Sequence, residues 1–169
     1  MLKIKSREDL INTLKTFIIG GSFIMCLWAL FPFLIKTFVD PFLGSFYMKP
    51  LRLVGVGFSA AGYMLAVWCV MLFINEGKGT PLPFAHPKQL VICGPYKFVR
   101  NPMVVGTVLF LFGSAFLFGS FGLLIYAFLI FLVMRQFILI EEKSLEKRFG
   151  VDYVLYFQKT PRWFPNLKD

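Results

Sequence analysis

The sequence predicts an all-α, polytopic membrane protein with about four transmembrane helices, a cytoplasmic connector and a cytoplasmic C-terminal helical tail. Three observations carry that prediction. Of the 169 residues 57% are hydrophobic and only 16% charged, with 22 Phe and a mean hydropathy of +0.71, which is the composition of a membrane protein and not of a soluble domain. The apolar residues are gathered into runs long enough to cross a bilayer. The basic residues flank those runs, so the net charge of +9 is explained by anionic lipid headgroups. No basic block interleaved with aromatics is present, and nucleic acid is not expected as a partner.

The chain opens with Lys3, Lys5, Arg7 and Lys15 set among Leu2, Ile4, Leu10, Ile11 and Leu14, which reads as an amphipathic lead-in lying on the membrane. The first span, 17–39, lacks a small-residue cleavage site after a short core and is expected to be retained. Pro32 should kink it, and Lys36 should snorkel at its far end. A short loop from Asp40 to Arg52 leads to the second span, 53–75. Its first half is crowded with Gly55, Gly57, Ser59, Ala60, Ala61 and Gly62, the small residues that let helices approach closely in membranes. Such a face suits a homodimer or an internal contact, and both stay open.

From Glu76 to Val99 the chain is polar and rich in breakers, a connector longer than the usual ~4–6 residues and therefore expected to be functional. The single histidine, His86, sits there before Pro87 and has no partner that would give it a chemical role. The apolar run after Pro102 is too long for one span. Gly119-Ser120-Phe121-Gly122 divides it into two, 102–118 and 123–140, joined as a tight hairpin. The start of the third span and the end of the fourth must then lie at one leaflet, which brings Arg100 and Asn101 to Arg135, Glu141 and Glu142. Beyond it Leu145 and Phe149 keep helical spacing up to a stop at Gly150, and residues 152–158 read as a further short helix. Tyr153, Tyr156, Phe157, Trp163 and Phe164 are expected to anchor that tail at the headgroup level. Because Lys and Arg are concentrated on the N-terminal segment, the connector and the tail, the positive-inside rule puts both termini in the cytoplasm.

The chemistry gathers at two stretches, 94–106 and 141–162. Gly94, Pro95 and Tyr96 form a turn; Arg100 carries a permanent cation to the membrane edge; Asn101 and Pro102 start a helix as N-cap and first helical residue. A helix start beside an arginine favours an anion, a carboxylate or a phosphate. Glu141 and Glu142, at the end of the hairpin, call for a positive neighbour, either Arg100 or a ligand's ammonium. A ligand with an amino acid end satisfies both halves at once, and S-adenosylmethionine has that end. Cys26, Cys69 and Cys93 form no paired motif, and neither a disulfide nor a metal site is expected.

Gly94-Pro95-Tyr96, Arg100-Asn101-Pro102 and Gly106, followed by Glu141-Glu142, Phe149-Gly150, Tyr153, Tyr156 and Pro161-Arg162, resemble the integral-membrane methyltransferase superfamily. That superfamily includes the isoprenylcysteine carboxyl methyltransferases and the phospholipid N-methyltransferases, and the resemblance spans residues 79–165. It implies S-adenosylmethionine as donor, bound at the cytoplasmic edge by these motifs, and a lipidic acceptor arriving from the bilayer. The prenylcysteine enzymes have His and Tyr where this chain has Asn101 and Val104. The acceptor is therefore open between a prenylcysteine carboxylate and a phospholipid amine. A carboxylate needs only orienting, by Arg100 or Arg162; an amine must lose a proton, for which Glu141 or Glu142 is the candidate.

Two other classes compete. A non-catalytic scaffold or lipid-binding subunit would use the arginines and glutamates only to pair, and a nicotinamide-dependent lipid reductase would share the helix ends. No glycine-rich dinucleotide fingerprint is present, and no charged residue near a span midplane suggests transport.

Overall fold

The computed structural model describes residues 18–46, 48–76 and 89–165, and among these the secondary structure is helical, apart from one isolated bridge between Ser45 and Ser120. The N-terminal lead-in, His86 and most of the connector's breakers lie outside the described residues. Helix α1 is Ile18–Phe38, α2 Asp40–Leu43, α3 Lys49–Asn75, α4 Pro102–Phe118, α5 Phe121–Phe149 and α6 Val151–Lys159. Helices α1, α3 and α5 are long and apolar enough to cross a membrane. With 17 residues α4 is shorter, reaching ~25 Å at the α-helical rise.

A π-helical turn precedes Pro32 in the first span. Residues Cys26–Leu30 form a π-helical turn, with Phe31 N–H reaching back five residues to Cys26 O. Pro32 lacks an N–H, so the Leu27 carbonyl finds neither its α partner, diverted to Cys26, nor its π partner. The Tyr126 hydroxyl of α5 donates to it at 2.9 Å. Trp28, one residue on, stacks on Phe110 of α4 with ring centres 4.3 Å apart. A helix irregularity thereby becomes the docking point of α1.

Helix α3 begins one turn earlier than the apolar run suggests, because Pro50 can occupy the first turn, where its missing N–H costs nothing. Helices α3 and α4 pack backbone against backbone. A Cβ on Gly62 would come within 2.5 Å of Gly106 O and Phe110 N, and one on Gly113 within 2.9 Å of Gly55 O. The internal face is thus Gly55, Ser59, Gly62 and Ala66, while Gly57, Ala60 and Ala61 are exposed on the opposite side. Only half of the small-residue cluster serves this contact.

The hairpin between α4 and α5 turns at Gly119, whose φ of 61° is left-handed and whose missing Cβ leaves room for Phe46 O. Phe46 N–H donates to Gly119 O at 2.8 Å. Ser120 then caps α5, its Oγ accepting Leu123 N–H at 2.9 Å. Asp40 is buried against this turn: its Oδ1 accepts from Ser120 Oγ at 2.7 Å and from Gly122 N–H at 3.2 Å. Lys36 does reach the end of its span as expected, donating to Phe118 O at 3.3 Å.

At the opposite end α5 continues as one helix past Glu141 to Phe149, and Gly150, at φ 56° and ψ −128°, reverses the chain into α6. This returns residues 151–165 to the mouth of the hairpin.

Candidate functional site

The mouth is built by four segments: a 3₁₀ turn, Gly94–Lys97; the start of α4; the last turns of α5, which carry Glu142; and α6 with the residues after it. Pro95 and Tyr96 of the turn are buried, and the Tyr96 ring meets Phe73 of α3 edge-on at 5.5 Å. The Tyr156 hydroxyl donates to Tyr96 O at 2.8 Å and ties α6 to the turn. Burial pushes the Tyr156 phenol well up and the Tyr153 phenol to about 12, the latter helped by nearby Glu142, so both stay protonated donors at neutral pH. Tyr153 and Tyr156 are core residues, 3% and 6% exposed, and not the interface anchors the tail's composition suggests. The cause is the reversal at Gly150, which turns that face of α6 inward.

Glu142 is the centre of the cluster. Arg162 clamps it bidentately, Nη2 to Oε2 at 2.7 Å and Nε to Oε1 at 3.2 Å, while Arg100 Nη2 reaches Oε1 at 3.2 Å. The Arg100 side chain is 7% exposed and that of Glu142 9%, against 30% for Arg162. Two guanidiniums around one carboxylate leave the cluster net positive. Glu141, 100° round the helix by α-helical geometry, is exposed and forms no ion pair among the described residues. Arg135 lies two turns back along α5, ~10 Å from Glu142 along the axis, and is exposed outside the cluster.

Asn101 occupies the N-cap position of α4 but its side chain does not cap. Its Nδ2 is buried with no hydrogen-bond partner, and so is Arg100 Nε. An unsatisfied buried donor costs ~1–3 kcal/mol, and these two lie on consecutive residues at the start of α4. Pro102, beside them, is fully buried at the first helical position. Gly94 starts the 3₁₀ turn against Leu72 and Trp68 of α3. A cleft of about 650 Å³ lies against α6, lined by Leu90, Ile92, Asp152, Tyr156, Lys159 and Thr160 among others, and none of the cluster's charged residues lines it.

Sequence reasoning thus brings together Arg100, Asn101, Pro102, Glu142 and Arg162. It missed what holds Arg100: the Phe157 ring, 3.8 Å from the guanidinium, and the Phe157 carbonyl, 3.1 Å from Nη1. The available signal was Pro161, four residues after Phe157. Among the described residues no group of His, Cys, Asp and Glu is placed to hold a metal.

The fold and the cluster together describe an all-helical membrane protein with a buried, net-positive arginine–glutamate cluster at one end of its hairpin. Its family can be stated outright. The phospholipid methyltransferase family model matches residues 51–152, and the chain belongs to that family, whose reaction class is methyl transfer to lipids. The match runs from α3 into the start of α6 and takes in Arg100, Asn101, Glu141 and Glu142; α1 precedes it and Arg162 follows it. No curated protein and no solved structure matches the chain significantly.

Proposed function

We propose that this protein uses S-adenosylmethionine to methylate the amine of a phospholipid headgroup at the cytoplasmic membrane face, with both termini in the cytoplasm. The observation that supports it most is the pair of buried, acceptor-less donors Arg100 Nε and Asn101 Nδ2. They suit a carboxylate, and the first-turn N–H groups of α4 add to the same field. Both oxygens of Glu142 are held by guanidiniums, and the surplus positive charge of that cluster tolerates an incoming anion. The cleft against α6 has the volume a nucleoside needs and a lining that mixes apolar residues with Asp152 and Lys159, of which Asp152 is suited to ribose hydroxyls. Family membership supports lipid as acceptor, and the exposed apolar faces of α1, α3 and α5 give lipid access from the bilayer.

The donor, when bound, supplies an electrophilic methyl group on a sulfonium. Protein residues then have three tasks. Arg100 and Asn101 orient the amino acid end, which fixes the line of displacement. The closed Tyr96–Tyr156 contact and α6 keep water from the reacting atoms. A lipid ammonium must lose its proton before the nitrogen can attack, and Glu141 is the better base of the glutamate pair, because both oxygens of Glu142 are already engaged by guanidiniums.

The test is transfer of labelled methyl from S-adenosylmethionine to phosphatidylethanolamine in mixed micelles by purified protein. Label in the lipid headgroup supports the reading. Label absent from phosphatidylethanolamine but present in a prenylcysteine methyl ester would replace the acceptor, and binding of a nicotinamide cofactor without any transfer would move the protein to the reductase class.

A further inference from the structure

Arg100 is held from behind by a helix end whose form follows from one proline. The residue before a proline is driven out of the helical region, and Thr160 accordingly sits at φ −112° and ψ 123°, ending α6. Proline also has no N–H, so the carbonyl of Phe157, four residues earlier, has no helical partner. That carbonyl accepts Arg100 Nη1 at 3.1 Å, the Phe157 ring covers the guanidinium at 3.8 Å, and Pro161 O accepts the Arg100 backbone N–H at 2.9 Å. One helix end thus supplies two carbonyl acceptors and a π face to a single residue. None of these carries charge. They fix the cation without neutralising it, whereas a second carboxylate here would cancel the cluster's surplus positive charge.

We propose that Phe157 and Pro161 are positioning residues for Arg100, locking it in the rotamer that keeps its Nε–H free for the carboxylate of the methyl donor. This rests on the donor-binding reading above. Pro161 acts by keeping the Phe157 carbonyl out of the helix, and Phe157 by offering that carbonyl together with its ring. Neither touches the donor.

The experiment measures binding of S-adenosylhomocysteine and, by competition, of 5′-methylthioadenosine, which has the nucleoside but no amino acid end. The proteins are the full chain and its Pro161→Ala, Phe157→Leu and Phe157→Tyr variants in detergent. Pro161→Ala and Phe157→Leu should weaken S-adenosylhomocysteine by roughly 3- to 30-fold, and Phe157→Tyr, which keeps the π face, should restore it. Methylthioadenosine affinity should stay at the wild-type value in all three. Equal weakening of both ligands would mean that α6 merely shapes the fold, and unchanged S-adenosylhomocysteine binding would mean that Arg100 needs no support; either overturns the proposal. A wild-type protein that binds neither ligand would instead defeat the donor reading, and this inference with it.

Discussion

The hairpin of α4 and α5 buries one carboxylate at each end, and the two are treated differently. At the turn, Asp40 is held by neutral donors, a serine hydroxyl and a backbone N–H at the start of α5. At the mouth, Glu142 is held by two guanidiniums, and Arg100 Nε and Asn101 Nδ2 have no acceptor. At the turn Asp40 Oδ1 serves the start of α5, while its Oδ2 is buried without a partner, an unmet acceptor where the mouth has unmet donors. The mouth carries more cationic donors than it can satisfy from its own residues. The contrast lies in charge and in unspent donors, since both carboxylates are equally buried, and it is the basis on which the mouth is proposed as the ligand end.

Removing the mouth carboxylate should have the largest effect. Glu142→Ala leaves two guanidiniums facing each other, one of them almost fully buried, and should cost ~3–5 kcal/mol with complete loss of methyl transfer, read by thermal melting in detergent and by the lipid assay. Next comes the contact that carries both ends. Gly62→Ala pushes a methyl into the backbone of α4 and should cost ~1–3 kcal/mol, with activity falling in proportion to folded protein. Asp40→Asn tests the contrast directly. The amide still accepts from Ser120, so a loss of ~1 kcal/mol is expected in denaturant titration with donor affinity unchanged; a parallel loss of donor affinity would erase the distinction between the ends. Smallest is Tyr126→Phe, which strips the partner from the Leu27 carbonyl. It should lower stability by ~0.5–1.5 kcal/mol and loosen α1 alone, seen as faster proteolysis at α1 with activity kept.

Much of this was legible in the sequence, for a physical reason. Apolar runs bounded by Gly119-Ser120 and by Arg100-Asn101-Pro102 leave a membrane chain few ways to turn, so the hairpin and the meeting of Arg100 with Glu142 followed from topology. Local chemistry that depends on a distant partner was not legible. Asn101 has the composition of a cap, yet its side chain is left unpaired. Pro32 reads as a kink, and the sequence does not show the π turn before it or the hydroxyl 99 residues away that answers the freed carbonyl. Tyr153 and Tyr156 look like headgroup anchors until Gly150 folds them inward, while Phe157 stays exposed. In both proline cases the decisive fact is a freed carbonyl, and a sequence shows the proline without showing who answers it.

The most direct measurement is calorimetric titration of S-adenosylhomocysteine into the wild type, Arg100→Ala and Asp40→Asn. Arg100→Ala leaves Glu142 clamped by Arg162 and so should remain folded. Saturable binding to wild type and Asp40→Asn with one affinity, and binding at least ~10-fold weaker in Arg100→Ala, is the predicted result. Folded Arg100→Ala that binds as tightly as wild type would contradict the assignment of the mouth as the donor site.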